Sequence, residues 1–280
     1  MTRRARARPE THRTEMPDPD RIQEAARFFW EDRQARRPYR PLPAELRPRT
    51  LDETYAVQEA LQALLAARHG PIAGYKVALT SPAMRHLLRV AEPFAGAIFA
   101  DTVRQSPAMV RAGDFVRLGI ECELAVRLDA DLPPARAPYD RDSVARAVGA
   151  CMAAFELVDD RKADYGNLDA PSCIADNGWN AGVVLGPPRT DWRALDLEQA
   201  AGRLTINGRL AGGGRAGDVM GHPFEALAWL ANLAARRGRG LERGRIVMTG
   251  SIVATTYVAP GDRAAFAFDG LDAATLDVSS

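Results

Sequence analysis

Residues 118–128 read Leu-Gly-Ile-Glu-Cys-Glu-Leu-Ala-Val-Arg-Leu, which predicts a β-strand. Every second residue is apolar, as in a β-strand with one face toward a core: Ile120, Cys122, Leu124 and Val126. The opposite face carries the carboxylates of Glu121 and Glu123, roughly 7 Å apart along the strand. Two like charges side by side repel, and burying either one alone is costly. A divalent cation between them removes both penalties, because Mg²⁺, Mn²⁺ and Ca²⁺ prefer oxygen ligands.

A third acid lies in a second apolar run. Residues 153–158, Ala-Ala-Phe-Glu-Leu-Val, predict a buried strand with one carboxylate, Glu156. A lone carboxylate in such a run needs a partner, so we interpret it as the third metal ligand. Asp176 and Asn177 follow in a polar loop and are candidates for orienting the ligands, with ordinary turn chemistry as the alternative. The alternative for residues 118–128 is a half-exposed strand with a solvated acidic face.

Composition excludes several classes of protein. The chain has 280 residues and a formal net charge of +1, which predicts neither a nucleic-acid nor a membrane-surface partner. Its apolar runs fall short of the ~20 residues of a membrane span. The three cysteines show no CxxC spacing, which argues against a disulfide scaffold or thiolate zinc site and indicates the cytoplasm. The four histidines are far apart in sequence, so any metal should be held by oxygen.

Lysine is rare in this chain. Of the 37 basic residues, only Lys76 and Lys162 are lysine. A primary amine can release a proton during catalysis, whereas arginine effectively cannot. Lys76 lies on a predicted strand, residues 75–79, just before a turn in which Ser81-Pro82 predicts the start of a helix. The free amides of that turn suit a carboxylate ligand. A solvated strand lysine is the alternative.

Helix signals dominate before residue 71 and strand signals after it. Helices are predicted for residues 20–36, for the stretch that follows the capping box Thr50–Glu53, from Ser143 to about Met152, and for residues 223–236. Strands are predicted late in residues 91–101 and at residues 181–185, 245–249, 252–258, 263–268 and 273–278. Gly212–Gly214 predicts a hairpin loop, residues 249–251 predict an interruption between two strands, and His222 predicts a helix cap or packing residue.

Seven motifs occur in a fixed order: GYKVALTSPAM, EPFAGAIFADTV, the Glu-x-Glu strand, AAFELVDDR, ADNGWNAGVVLG, GHPFEALAWLANLAA and VMTGS. Together they resemble the 2-keto-4-pentenoate (2-hydroxypentadienoate) hydratases of the fumarylacetoacetate hydrolase superfamily, a group that includes the related oxalocrotonate decarboxylases. The resemblance covers roughly residues 20–280. It carries more weight than any single motif, because all seven keep their order.

The resemblance implies an α+β fold, a mixed β-roll with peripheral helices and an N-terminal helical region. We expect residues 1–17 to be a disordered basic tail, or upstream sequence if Met16 is the true start, and residues 18–280 to be a single catalytic domain. Within that domain, residues 18–70 would be helical and residues 71–280 would form the β-roll core. A homo-oligomer is implied, with a complex with a neighbouring pathway enzyme as a further possibility.

The resemblance also implies a site that binds Mg²⁺ or Mn²⁺. It maps the metal ligands onto Glu121, Glu123 and Glu156, and an active-site lysine onto Lys76. The residues expected to contact substrate are Leu79, Thr80, Ser81, Asp176, Thr249, Gly250 and Ser251.

The implied activity is addition of water to a 2-hydroxy-2,4-dienoate, or its 2-oxo tautomer, to give a 4-hydroxy-2-oxo acid in aromatic catabolism. One position departs from the hydratase pattern. Such enzymes often carry an aspartate just after the Glu-Pro of the second motif, where this chain has Phe94. The alternatives are decarboxylation of 2-oxo-3-hexenedioate (4-oxalocrotonate), hydrolysis of a C–C bond in an acylpyruvate, and a non-catalytic partner subunit of the same family.

Overall fold

The computed structural model describes residues 18–280, so the prediction for residues 1–17 lies outside the described part of the chain. Its helices are α1 Pro19–Gln34, α2 Leu51–His69, α3 Pro82–Leu87, α4 Arg141–Ala145, α5 Ala170–Ala175 and α6 Pro223–Arg236. The long helices α1 and α2 confirm the helical region predicted before residue 71, and α6 has the predicted ends. None of the described helices is both long and apolar enough to cross a membrane.

Twelve strands are described, and they form two mixed sheets. The strands are β1 Ile72–Ala78, β2 Phe94–Phe99, β3 Val103–Gln105, β4 Ala108–Arg111, β5 Leu118–Leu128, β6 Val148–Asp159, β7 Asn180–Leu185, β8 Ala201–Ile206, β9 Arg209–Arg215, β10 Ile246–Tyr257, β11 Arg263–Phe268 and β12 Leu271–Ser279. One sheet has the order β2-β1-β10-β5-β6-β7-β3, and the other has the order β4-β12-β11-β8-β9. Parallel and antiparallel pairs occur in both sheets, which confirms the predicted α+β class.

The acid-bearing strand β5 is the middle strand of the larger sheet, between β10 and β6. Its Ile120 face joins the main apolar core, and Ala125 on the opposite face packs in a second apolar cluster with Met152 and Met248. Both faces are therefore covered. The alternative of a half-exposed strand with a solvated acidic face is wrong, since Glu123 is only 1% exposed.

Helices α1 and α2 pack together against the outer part of the larger sheet. Ala26 and Phe29 of α1 share an apolar cluster with Leu61 of α2 and with Phe99 of β2. The predicted cap of α2 is present, because the Thr50 hydroxyl accepts the backbone N–H of Glu53. These contacts attach the helical region to the strand next to β1, which carries Lys76.

The helix predicted from Ser143 to Met152 is wrong for most of its length. The helix α4 ends at Ala145, and β6 has begun by Val148. Residues 148–159 pair with β5 along the whole strand, including Met152 opposite Ala125. Small apolar residues at successive positions fit a buried strand and a helix equally well, and the partner strand decides between them.

The glycines at 212–214 lie inside β9, whereas the hairpin turn is at Asn207-Gly208. The predicted hairpin loop is therefore misplaced. Packing of β9 against β10 explains Gly212 and Gly214, because a Cβ atom on either would collide with Val253 or with the carbonyl oxygen of Ile252.

Residues 245–258 do not form two separate strands as predicted. Residues 246–257 form the single strand β10, whose register against β5 shifts between Met248 and Ser251, between Ser251 and Val253, and again before Thr256. The Thr249–Ser251 segment is thus an irregularity within a strand. Bulges of this kind redirect side chains, and they often occur next to active sites.

Candidate metal centre

Strands β5 and β6 bring three carboxylates together. Glu121 lies directly opposite Glu156 in the antiparallel pairing, and Glu123 lies opposite Ala154. One carboxylate oxygen from each glutamate can be chosen so that the three atoms lie within 4.8 Å of one another. Glu123 and Glu156 are buried, and Glu121 is partly exposed. The sheet register therefore creates the cluster that the sequence predicted.

Each carboxylate accepts a hydrogen bond from an uncharged neighbour. The Thr255 hydroxyl donates to Glu121 at 2.5 Å, and the Gly250 backbone N–H donates to Glu123 at 2.7 Å. The Asn180 amide donates to Glu156 Oε1 at 3.0 Å. Gly250 has a φ of +116°, and a Cβ atom there would collide with Thr80, so glycine is required where β10 presents its amide to the site.

The electrostatics of the three acids suit a divalent cation. Burial, followed by repulsion from Glu156 and Glu121, holds the pKa of Glu123 well above its ordinary value. Burial also raises the pKa of Glu156. Glu156 Oε2 is buried and accepts no hydrogen bond within the described residues. A hard cation would neutralise the mutual repulsion and give this oxygen a partner, so these residues fit Mg²⁺, Mn²⁺ or Ca²⁺.

Lys76 projects from β1 into the same cluster. Its Nζ lies 3.1 Å from Glu156 Oε1, and the residue is only 3% exposed, so the alternative of a solvated strand lysine is wrong. Burial acts to lower the Lys76 pKa, but the carboxylates of Glu156, Glu121 and Glu123 outweigh it and raise the pKa to about 12. Without a cation at the glutamates, Lys76 is therefore an ammonium at neutral pH and can donate a hydrogen bond.

A cavity of about 520 Å³ opens beside the carboxylate cluster. Lys76 and Glu121 line it, together with four of the residues expected to contact substrate: Leu79, Thr80, Ser81 and Ser251. Phe94 also lines the cavity, and its ring centroid is 5.6 Å from Lys76 Nζ. The position where hydratases often carry an aspartate thus faces the cavity in this chain, with an aromatic ring in place of an acid.

Comparison with known proteins identifies the family of this chain. Residues 85–279 match the family model described as fumarylacetoacetate (FAA) hydrolase, C-terminal. The chain belongs to the FAA hydrolase family. It is 32% identical over 240 residues to the 2-keto-4-pentenoate hydratase of Paraburkholderia phymatum, covering 85% of this chain and 89% of that one. It is 28% identical to the 2-hydroxyhexa-2,4-dienoate hydratase of Comamonas testosteroni, covering 93% and 98%.

Among solved structures, the fold of this FAA hydrolase family member is similar to 4-oxalocrotonate decarboxylase from Pseudomonas putida G7. The TM-score is 0.87 at 25% identity, with 94% of this chain and 99% of that chain covered. That structure contains magnesium and adipate, and a second structure of the same enzyme contains calcium and acetate.

Three residues expected at the site have other contacts in this family member. Both carboxylate oxygens of Asp176 accept arginine N–H groups, one from Arg33 and one from Arg161. These ion pairs account for the burial of Asp176 without a metal or substrate contact. The side chain of Asn177 bonds the backbone of Ala97, and the Thr249 hydroxyl donates to the carbonyl oxygen of Leu124.

The sequence analysis did not predict two side chains that orient the glutamates, those of Asn180 and Thr255. Asn180 lies within the ADNGWNAGVVLG motif, so the motif itself was a signal for it. Thr255 carried no such signal, because only the register shifts of β10 bring its hydroxyl to Glu121. Asp160, directly after β6, supports the cavity wall. It is fully buried and accepts a hydrogen bond from the hydroxyl of Tyr165, which lines the cavity.

Proposed function

We propose that this protein is a metal-dependent hydratase that adds water to a 2-hydroxy-2,4-dienoate of the 2-keto-4-pentenoate type, giving a 4-hydroxy-2-oxo acid. One observation carries the proposal: three carboxylates lie within 4.8 Å of one another beside Lys76, next to a cavity of about 520 Å³. The names of curated relatives support it, since relatives 32% and 28% identical to this chain are hydratases of such dienoates.

The residues divide the work as follows. Glu121, Glu123 and Glu156 would hold Mg²⁺ or Mn²⁺, and the bound cation supplies Lewis-acid stabilisation of negative charge on the substrate oxygens. Lys76 places an amine beside the same cluster, where it can donate a hydrogen bond to the substrate and deliver a proton as the dienol becomes a ketone. The turn at Leu79–Ser81 and the hydroxyl of Ser251 would position the substrate, because both line the cavity.

The character of the cavity favours a substrate with one carboxylate. Among the described residues that line it, Lys76 is the only cation, and it is already paired with Glu156. The walls away from the acids are largely apolar, with Leu88, Leu168 and Trp179 among them. A second carboxylate would lose its hydration there without a partner. This observation favours hydration of a mono-acid over decarboxylation of a diacid.

The second candidate function is decarboxylation of 2-oxo-3-hexenedioate. Two observations support it: the likeness to 4-oxalocrotonate decarboxylase at a TM-score of 0.87, and Phe94 at the position where an acid is expected in hydratases. The same metal-stabilised enolate chemistry would serve both reactions, so the arrangement of the acids does not separate them.

One experiment separates these functions. Purified protein with Mn²⁺ is mixed with 2-hydroxypentadienoate and, separately, with 2-oxo-3-hexenedioate, while ultraviolet absorbance and released CO₂ are followed. We expect rapid loss of the dienoate absorbance and little CO₂ from the diacid. Fast CO₂ release would identify the decarboxylase instead. Tight Mn²⁺ binding with no turnover of either compound would point to the non-catalytic subunit.

We also propose that the protein is a homo-oligomer that works in the cytoplasm. The edge strands β4 and β9 of the smaller sheet carry exposed apolar side chains, Met109 at 67% and Leu210 at 72%. Exposed apolar side chains on edge strands favour pairing with another chain, either a second copy or a neighbouring pathway enzyme. All three cysteines are unpaired and buried, as suits a reducing compartment. Light scattering coupled to gel filtration tests the first point, and a monomer would contradict it.

A further inference from the structure

A second cavity lies behind the carboxylate cluster. Its volume is about 420 Å³, and it is bounded by the ends of α1 and α2, by residues 99–104 and by the start of β7. Asn180 lines this cavity and also donates to Glu156, so one side chain separates it from the candidate metal centre. Five guanidinium groups line it: Arg33, Arg36, Arg68, Arg104 and Arg161.

The carboxylates on the same walls do not balance these arginines. Three acids line the cavity: Asp101, Asp114 and Asp159. Asp101 is bonded to His69, and Asp114 lies 3.9 Å from Arg36 with both side chains more than half exposed. Asp159 accepts three backbone N–H groups, those of Val116, Arg117 and Arg161. Counting Asp176, which binds Arg33 and Arg161, four carboxylates face five guanidinium groups, so one positive charge remains unbalanced.

The deepest pair of arginines shares a single carboxylate. Arg33 and Arg161 both bind Asp176, at 2.7 and 2.6 Å, and Asp176 is fully buried. Arg161 is only 2% exposed, yet its Nε and NH1 atoms have no hydrogen-bond partner among the described residues. Both nitrogens are buried, so a ligand in the cavity would reach them only after side chains move, and Arg161 gives the wall positive charge rather than free donors.

Two further arginines of the cavity form no ion pair with a carboxylate among the described residues. Arg104 donates to the carbonyl oxygen of Thr102 and forms no ion pair with any residue from 18 to 280. Arg68 contacts the neutral amide of Gln34. Guanidinium groups bind oxyanions through paired N–H donors, so the cavity combines positive charge with the geometry that such ligands need.

We propose that this cavity is a binding site for a small oxyanion, a phosphate or the carboxylates of a small metabolite, and that Arg104 and Arg68 are its principal donors. The site is separate from the metal centre and does not depend on the proposed hydratase activity. Because Asn180 is shared between them, an anion in the cavity would lie one side chain from Glu156.

The test uses metal-stripped full-length protein, so that anions cannot bind through a cation at the glutamates. Calorimetric titrations with inorganic phosphate and with succinate, at constant ionic strength, compare the parent with Arg104→Gln and Arg68→Gln. The control is Arg263→Gln, an exposed arginine on β11. We expect saturable binding in the parent and the control, and an affinity lower by about tenfold or more in the two variants, since hydrogen bonds to charged groups contribute on that scale.

Binding of phosphate alone or succinate alone would support the site and identify its source of oxyanion. Three results would overturn the proposal: no saturable binding of either anion, equal affinity in Arg104→Gln and the parent, or equal weakening in the Arg263→Gln control. Arg104 is partly exposed and Arg68 is exposed, so neither substitution removes a buried side chain from the fold.

Discussion

At the scale of single residues, the three glutamates repel one another in a buried site. Their burial and mutual repulsion raise the pKa of Glu123 and of Glu156, so their charged forms are costly until a cation binds. Replacing any one of them, Glu121, Glu123 or Glu156, by Gln removes a charge and keeps the shape. We expect Mn²⁺ affinity to fall by at least about 10–100-fold, the loss typical of residues that only orient ligands, and turnover to fall with it.

Isothermal titration with Mn²⁺ and circular dichroism measure affinity and fold in the same samples. The matched control is Glu24→Gln on the exposed face of α1, which should bind metal like the parent. Unchanged Mn²⁺ affinity in all three site variants would show that the glutamates do not hold the metal.

Lys76 gives a second test at this scale. Lys76→Arg keeps a positive charge but cannot release a proton near neutral pH. We expect oxalate, which mimics the chelating end of the substrate, to bind nearly as well as in the parent. Turnover should drop by a factor on the order of 10² to 10⁴, the usual share of a general acid–base group. Lys162→Arg, the other lysine and an exposed one, is the control. Full activity in Lys76→Arg would remove lysine from the mechanism.

At the scale of elements, the contact between β9 and β10 supports the site from behind. A Cβ atom on Gly214 would overlap the carbonyl oxygen of Ile252, next to the segment that presents Gly250 and Ser251. We expect Gly214→Ala to lower the free energy of unfolding by about 1–3 kcal/mol, the usual cost of overpacking. Urea denaturation measures the loss against Gly113→Ala, where a Cβ atom meets no other atom within 4 Å. Equal stability of the two variants would show that β9 can move away without cost.

How far the sequence predicts this molecule also differs between elements. Alternation along residues 118–128 and the lone acid in residues 153–158 were enough to predict three acids at one site, because strand periodicity is local. The helix predicted through Met152 failed because small apolar residues fit either structure, and pairing with β5 decides. The position of Thr255 depends on register shifts in β10, and the contacts of Asp176 depend on arginines 143 and 15 residues away in sequence. Such features arise only when distant segments meet.

At the scale of the whole molecule, the main apolar core includes residues from Tyr55 to Val278, and α1 contributes to the separate apolar cluster that it forms with α2 and β2. Residues 1–15 show no apolar periodicity in the sequence. Deleting them should therefore leave melting temperature, oligomeric state and turnover within error of the full chain. Differential scanning fluorimetry and the dienoate assay check this. A large loss of melting temperature or of turnover would show that this segment packs on the protein or joins an interface.

The metal dependence of hydration tests the central claim most directly. The protein is stripped with a chelator and titrated with Mg²⁺, and with Mn²⁺ in parallel, while the 4-hydroxy-2-oxo acid formed from 2-hydroxypentadienoate is quantified. The account predicts negligible product without metal, and a rate that rises and saturates near one cation per chain, because one cluster of three carboxylates is present among the described residues. Full hydration activity in the metal-stripped protein would contradict the account, and so would metal binding that saturates without any product being formed.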